Sequence, residues 1–346
     1  MRPKPIDNPP NRFDSTMVEW DDGDEPRPLS PVRVYEDATR KILATNDSPD
    51  LGFRWSVNPY RGCQHACAYC YARPSHEYLG FGAGTDFETQ IVLKPDAPAL
   101  LREAFDKPSW QGELVVFSGV TDCYQPLEAR WRLTRGCLEV CAEYRNPVGI
   151  VTKGVLVERD LDVLTDLARN AQASVSISIP FWDKEKARAI EPTVATPERR
   201  MRTVETLAKA GIPVGVNVAP IIPGLNDMEI PDILAAAAGA GAVRAAMTMV
   251  RLAGSVLPVF EQRLTEAFPL RAEHVLHRIR DVRGGKLNDS RFGSRMEGEG
   301  EYAKAVHALF EAHARRAGLD VSWGHEDAPS TFRRPARGPQ LSLFPV

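Results

Sequence analysis

The stretch RGCQHACAYCYARPSHEY, residues 61–78, places Cys63, Cys67 and Cys70 within eight consecutive residues. Thiolates are soft metal ligands, and three on one short loop can each hold a different metal corner. The spacing C-x3-C-x2-C supplies three ligands, and that number divides the possible chemistry. A structural zinc ion needs a fourth protein ligand, for which this chain offers His65, His76 or a distant cysteine. A 4Fe-4S cluster held by three cysteines instead leaves one iron open to a substrate or cofactor.

The other three of the six cysteines are Cys123, Cys137 and Cys141. Cys137 and Cys141 stand four apart on a predicted helix and share a face. With Cys123 they could hold a second cluster, although free cysteine is ordinarily a small core residue. Cys123, in GVTDCYQPLE, lies in a loop just after a predicted strand.

Short β-branched runs must carry these loops. They are ELVVFSGVT (113–121), VGIVTK (148–153), ASVSISI (173–179), PVGVNVAPII (213–222) and VRAAMTMV (243–250). The segments between them repeat apolar residues at three- and four-residue spacing, as in LEARWRLTRGCLEVCAEY and TPERRMRTVETLAKAG. Strand and helix in alternation predict a parallel α/β sheet, open or closed into a barrel. Thr196 before Pro197 marks a helix start, and Gly211 its end. Ligands of such folds collect beyond the C-terminal ends of the strands, which here read GVTDC, TKG, SIP and APIIPG.

Hydrophobic residues at 43% and charged residues at 26% are those of a globular protein, and no apolar run reaches the roughly 18 residues of a membrane span. The opening MRPKPIDNPPNRFD lacks the apolar segment of a secretory signal, so a cytoplasmic location is expected. In that compartment clustered cysteines serve metal or catalysis more often than disulfides. A net charge of −3 gives no general basic field, and a nucleic-acid partner would need a local patch. One candidate is HRIRDVRGGKLNDSRFGSR, residues 277–295, with six Arg or Lys against two Asp; a solvated, ion-paired surface is its plainer reading.

The cysteine spacing, with Tyr69 just before the last cysteine, resembles the signature of the radical S-adenosylmethionine (SAM) superfamily. AYCYA, GVTD, VTK, SIS, EP, Arg200 in PERRMR and NVAPI narrow the resemblance to the spore photoproduct lyase and DNA repair photolyase-like group, over residues 58 to about 225. The resemblance implies a partial (β/α)6 barrel, a 4Fe-4S cluster on Cys63, Cys67 and Cys70, and SAM as the molecule that meets the open iron. It further implies that Tyr71, Ser118, Gly119, Thr121, Lys153, Ser178 and Arg200 position SAM, and that Pro220 and Gly224 shape an adenine-binding loop. A lysine or arginine facing the methionine carboxylate suits that task, because a charge-assisted pair fixes an anion in one pose. The pattern departs from the lyase at Gly119, where that family carries the cysteine that returns hydrogen to the product radical. Reversal of a thymine dimer therefore does not carry over with the radical-generating step; the next thiol, Cys123, four residues later, is either a donor of hydrogen from another direction near the mouth of the site or a buried loop thiol.

At the other end, a polar, Pro-rich stretch runs into QLSLF, residues 340–344. It resembles the bacterial sliding-clamp-binding pentapeptide, which implies polar contacts from Gln340 and pocket residues Leu341, Leu343 and Phe344 about Ser342. A tethered peptide raises local concentration at DNA without a basic body; an internal latch is the other reading of this apolar end.

The expected organisation is an extended or disordered arm (1–50), a radical SAM core (51–250), a capping segment (251–325) and a mobile tail (326–346). The leading expectation is a radical SAM enzyme acting on damaged or modified DNA, recruited by the clamp and fed by an electron donor. A radical SAM enzyme for a peptide, tRNA or small molecule is the second reading. A metal-stabilised scaffold or clamp-binding protein is the third.

Overall fold

The computed structural model describes residues 32–322 and 329–335. Ten strands lie among them: β1 (Arg33–Glu36), β2 (Leu43–Thr45), β3 (Trp55–Val57), β4 (Tyr60–Arg61), β5 (Gln90–Leu93), β6 (Val115–Phe117), β7 (Val148–Thr152), β8 (Ala173–Ser178), β9 (Val214–Ile221) and β10 (Arg244–Met249). The main sheet has the order β10-β9-β8-β7-β6-β3-β2. From β3 to β10 every pairing is parallel, and β2 closes one edge antiparallel to β3. Six successive parallel strands with helical crossovers make the partial (β/α)6 barrel. A second, small sheet, β1-β5-β4, stands beside it.

The two faces of this sheet differ for a reason visible in β8. Side chains alternate along a strand, so Val175 and Ile177 point one way and Ser174, Ser176 and Ser178 the other. The first set joins Val214, Val216 and Val218 of β9 in the core with Leu164, Leu167, Val204, Leu207, Ile233 and Leu234 of the crossover helices. Each such burial contributes roughly 1.5–3 kcal/mol. The serine side faces Gly215, whose Cβ, were there one, would sit 3.4 Å from Ser176 Oγ. Small and polar residues therefore line the concave face and leave room over the strand ends.

The helix Pro197–Lys209 begins as its sequence predicts, with Thr196 Oγ1 accepting from Arg199 N at 3.3 Å and Pro197 in the first turn. The segment LEARWRLTRGCLEVCAEY forms two helices, Glu128–Trp131 and Leu133–Glu143, separated at Arg132, whose φ of +53° breaks the run. Cys137 and Cys141 lie in the core of the second, fully buried.

Three outcomes differ from the sequence reading. Residues 33–36 and 43–45 of the expected arm are strands, each held by a partner strand. The expected cap divides: the helices Val256–Ala267 and Ala272–Asp281 pack with the cysteine loop, whereas Gly300–Arg316 packs against Ile230–Gly239 on the flank. Its end reaches the sheet, where Ala245 N donates to Asp320 O at 2.9 Å.

The third concerns the tail, whose residues 329–335 form a docked strap. Phe332 stacks on Tyr144 and meets Phe105 edge-on, with centroids 6.0 and 5.9 Å away. Arg334 donates to the carbonyls of Phe105, Lys107 and Trp110, and Ser330 Oγ to that of Gly112. These partners precede β6 and β7, so the strap lies at the N-terminal end of the barrel, away from the cysteine loop. QLSLF lies outside the described residues.

Gly112 permits this docking: its φ is +74° and a Cβ there would come within 2.2 Å of Phe332 Cβ. Gly112→Ala is expected to displace the strap and cost about 1–2 kcal/mol through the strained backbone and lost packing. Tryptic cleavage after Arg333 would then accelerate; cleavage at the parent rate would contradict the docking.

Candidate metal and cofactor site

The cysteine loop leaves β4 through Gly62, where φ is +76° and a Cβ would come within 2.9 Å of both His76 and the Phe87 carbonyl. Only glycine turns the chain here without displacing backbone. Cys63 N then donates to Phe87 O at 2.8 Å, Gln64 N to Gln125 Oε1 at 3.0 Å, and Ala68 N to Ile190 O at 3.0 Å. Thr121 Oγ1 and Gln125 Nε2 close the ring on Gly62 O at 2.7 and 3.1 Å. From beneath, Arg73, 1% exposed, donates to the carbonyls of Ala66, Cys67, Ala83 and Gly84. A loop with no regular structure is thus fixed by groups from four directions.

Cys63 and Cys67 are buried and Cys70 half-buried, and all three thiols are free. Burial, with help from Glu191, pushes the Cys67 thiol well up, and burial with Cys63 raises Cys70. Such thiols become thiolates by binding a metal. Among the described residues no three His, Cys, Asp or Glu groups converge on one ion position. A zinc site requires that convergence, whereas a 4Fe-4S cluster spreads its cysteines over separate irons. The two nearby histidines are also engaged. His76 Nε2 lies 2.8 Å from Gln90 O, and His65 Nδ1 lies 3.2 Å from Asp122 Oδ2. Burial opposes the charge on His65, but Asp122 and Cys63 outweigh it and lift its pKa to about 10. Burial likewise opposes the Asp122 carboxylate, and His65 with the Lys153 amide and Thr152 hydroxyl brings it down to about 2. The donor set fits a three-cysteine cluster.

The expected SAM residues gather around this loop. Ser118 follows β6 with φ of +105°, a strained value for a residue with a Cβ, and its Oγ donates to Thr121 O at 2.8 Å. Asn58 Oδ1 accepts from Val120 N at 3.0 Å, and the Tyr71 hydroxyl donates to Gly119 O at 2.7 Å. Lys153 follows β7, with Nζ 5.6 Å from the centre of the Tyr69 ring and 4.0 Å from Glu191 Oε1. Pro220 lies near the end of β9, where Asn226 Nδ2 donates to the carbonyls of Pro220 and Pro180 at 3.0 and 2.7 Å.

Two expected roles change. Arg200 is fully buried: one guanidinium nitrogen donates to Ser178 O at 2.7 Å and another pairs with Glu191 at 2.7 Å. Glu191 also accepts from the Tyr69 hydroxyl. Arg200 therefore ties β8 to the cysteine loop through Glu191 and works behind the site. Cys123 is 1% exposed, in the core with Cys137 and Cys141, and burial pushes its thiol well up. It faces away from solvent, so a hydrogen-donor role at the mouth is not carried forward. Sequence reasoning also passed over Arg73, three residues after Cys70, and Glu191, present only as half of the EP dipeptide.

Six parallel strands, a three-cysteine loop after the first and polar residues at the ends of the next three define a radical SAM core. The radical SAM superfamily profile matches residues 57–237, more than half of the chain, and the protein belongs to that superfamily. Its cofactors are accordingly a 4Fe-4S cluster and SAM. An uncharacterized protein of Mycobacterium tuberculosis is 40% identical over 221 residues, which cover 63% of this chain and 65% of that protein's length. An uncharacterized protein of Methanocaldococcus jannaschii is 32% identical over 200 residues, or 58% of this chain and 72% of the other. Among solved structures, spore photoproduct lyase with bound AdoMet and dinucleoside spore photoproduct matches with a TM-score of 0.60 at 17% identity, covering 85% of this chain and 82% of that one. That likeness extends the shared fold well beyond the core.

Proposed function

We propose that this radical SAM enzyme acts on DNA, at a damaged or modified base, and that its C-terminal pentapeptide delivers it to the sliding clamp. The observation that carries the reading is the pairing of a body folded like spore photoproduct lyase with QLSLF, five residues beyond the docked strap that ends at Pro335. When bound and reduced by an external one-electron donor, the cluster would supply the electron for cleavage of SAM to methionine and a 5'-deoxyadenosyl radical.

This chain's residues hold, orient and enclose. Cys63, Cys67 and Cys70 carry the cluster, and Arg73 keeps their loop in one shape. Lys153 is the cation suited to the methionine carboxylate. Ser118, Gly119 and Thr121, with Ser178 on the next strand but one, present small groups against which a nucleoside can lie. Phe181, Ile222, Val250 and Leu252, all buried beside the loop, exclude water from its far side. The reaction differs from that of the lyase in its last step, since Gly119 and the buried Cys123 leave no lyase-like thiol for hydrogen return.

The test uses the full chain reconstituted with iron and sulfide. Clamp binding should be lost when Leu343 and Phe344 are both replaced by alanine, and SAM cleavage should rise with lesion-bearing DNA, further so with clamp present. Cleavage stimulated by tRNA or a peptide and indifferent to DNA would overturn the reading.

A further inference from the structure

Of the basic stretch 277–295, most charges are already engaged. Arg278 pairs with Asp281, Arg291 with Asp289 and Glu299, and Arg295 with Asp50. Arg283, 3% exposed, donates to the carbonyls of Val250, Ser294 and Arg295. Through those bonds it holds the loop 292–295 against the segment just after β10. That segment carries Arg251.

Arg251 differs from these neighbours. It lies two residues beyond the end of β10, on the same side of the barrel as the cysteine loop, between the buried anchors Val250 and Leu252. Its Nε, like that of Arg283, is buried with no hydrogen-bond partner, but its terminal nitrogens bond no carbonyl: among the described residues its one polar contact is a weak one, Nη1 to Met296 Sδ at 3.7 Å. Among the described residues no carboxylate stands within ion-pair distance of it. Arg251 and Arg295 share one carboxylate, Asp50, whose oxygens are taken by Arg295 and by Gly293 N, while Arg283 has Asp289 and Glu299 near it. Burial first, and Arg295 second, weaken the hold of Arg251 on its proton, while Tyr71 and Asp50 act the other way. Tyr71, 57% exposed, stands next to Cys70. A half-buried guanidinium within electrostatic reach of the tyrosine beside the cluster loop, whose nearby carboxylate Asp50 is already bonded to Arg295 and Gly293 N, is an incomplete ion pair.

We infer that Arg251 is the oxyanion-binding residue of the substrate site, and that its ligand is a backbone phosphodiester of the nucleic acid whose base enters the barrel. A guanidinium offers two parallel donors to such a group, and partial burial strengthens each. The inference rests on the DNA reading for the identity of its ligand. The SAM carboxylate is the other oxyanion within the same site, and the measurement separates the two.

The parent, Arg251→Ala and Arg251→Lys, each reconstituted as the full chain, would be titrated into a 5'-fluorescent single-stranded oligonucleotide across a range of salt. SAM affinity would be measured in parallel by calorimetry. Arg251→Ala should weaken oligonucleotide binding roughly tenfold or more, and flatten the log–log salt dependence by about 0.7. Arg251→Lys, which keeps the charge and loses the paired donors, should fall between the two, and SAM affinity should be the same for all three. Oligonucleotide binding unchanged in Arg251→Ala overturns the inference alone. Loss of SAM affinity with oligonucleotide binding intact overturns it in favour of the carboxylate. A parent that binds no oligonucleotide overturns the DNA reading and this inference together.

Discussion

Replacement of Cys63, Cys67 or Cys70 by alanine removes iron and sulfide from the reconstituted protein and lowers 5'-deoxyadenosine formation by more than about a hundredfold. Loss of outer-shell partners alone costs metal sites roughly 10- to 100-fold, and these are the ligands themselves. The loop should survive the change, because its backbone is held by Arg73, Gln125, Phe87 and Ile190, and the thiols add only the weak contact of Cys67 Sγ with His65 O at 3.9 Å. The matched control is Cys123, Cys137 or Cys141 to alanine. All three lie in the core, so each should keep full iron and turnover and lose about 1 kcal/mol of stability. Iron and sulfide analysis beside thermal denaturation checks both halves. Iron retained in the loop variants, or lost in the core variants, would contradict the assignment.

Glu191→Ala has the largest effect expected on folding. Glu191 and Arg200 are both buried, 2.7 Å apart, and the Tyr69 hydroxyl shares the carboxylate. Removing the acid leaves an unpaired guanidinium in the interior, which costs about 3–5 kcal/mol. At roughly 2–4 °C for each kcal/mol, Tm should fall on the order of 10 °C. Glu191→Gln, which keeps a hydrogen-bond acceptor, should fall less. Replacing Glu191 and Arg200 together by leucine and methionine should recover much of the loss, since no charge is then stranded. A Tm for Glu191→Ala equal to that of the parent would show that the pair does not carry the junction between β8 and the cysteine loop.

Five of the six barrel strands were legible because their apolar runs must be buried by helices of matching period. The first, β3, has three residues, as β6 does, but β6 lies within the apolar run ELVVF, whereas β3 is flanked by Arg54 and an Asn-Pro turn and gives no such run. β1, RVYE, is exposed along its whole length and so carries no alternation of burial. The cluster cysteines were legible because their spacing is local, whereas the Glu191–Arg200–Tyr69 link joins residues up to 131 positions apart. Arg200 reads as a ligand contact through the resemblance to the lyase-like group, and only tertiary packing shows it enclosed. The strap was hidden for a similar reason, since one aromatic, Phe332, in a polar Pro-rich stretch gives no periodic signal. Arg251 belongs to no motif; its meaning comes from what does not pair with it.

The central claim is that this protein directs the radical from SAM at a nucleotide in DNA, and hydrogen transfer reports that directly. The reconstituted, reduced protein would be given SAM, the sliding clamp and lesion-bearing DNA whose nucleotides are deuterated, and the 5'-deoxyadenosine would be analysed by mass spectrometry. The account predicts 5'-deoxyadenosine carrying one deuterium, absent from the Cys63→Ala, Cys67→Ala, Cys70→Ala variant. Product without deuterium, formed at the same rate whether or not DNA is present, would contradict it.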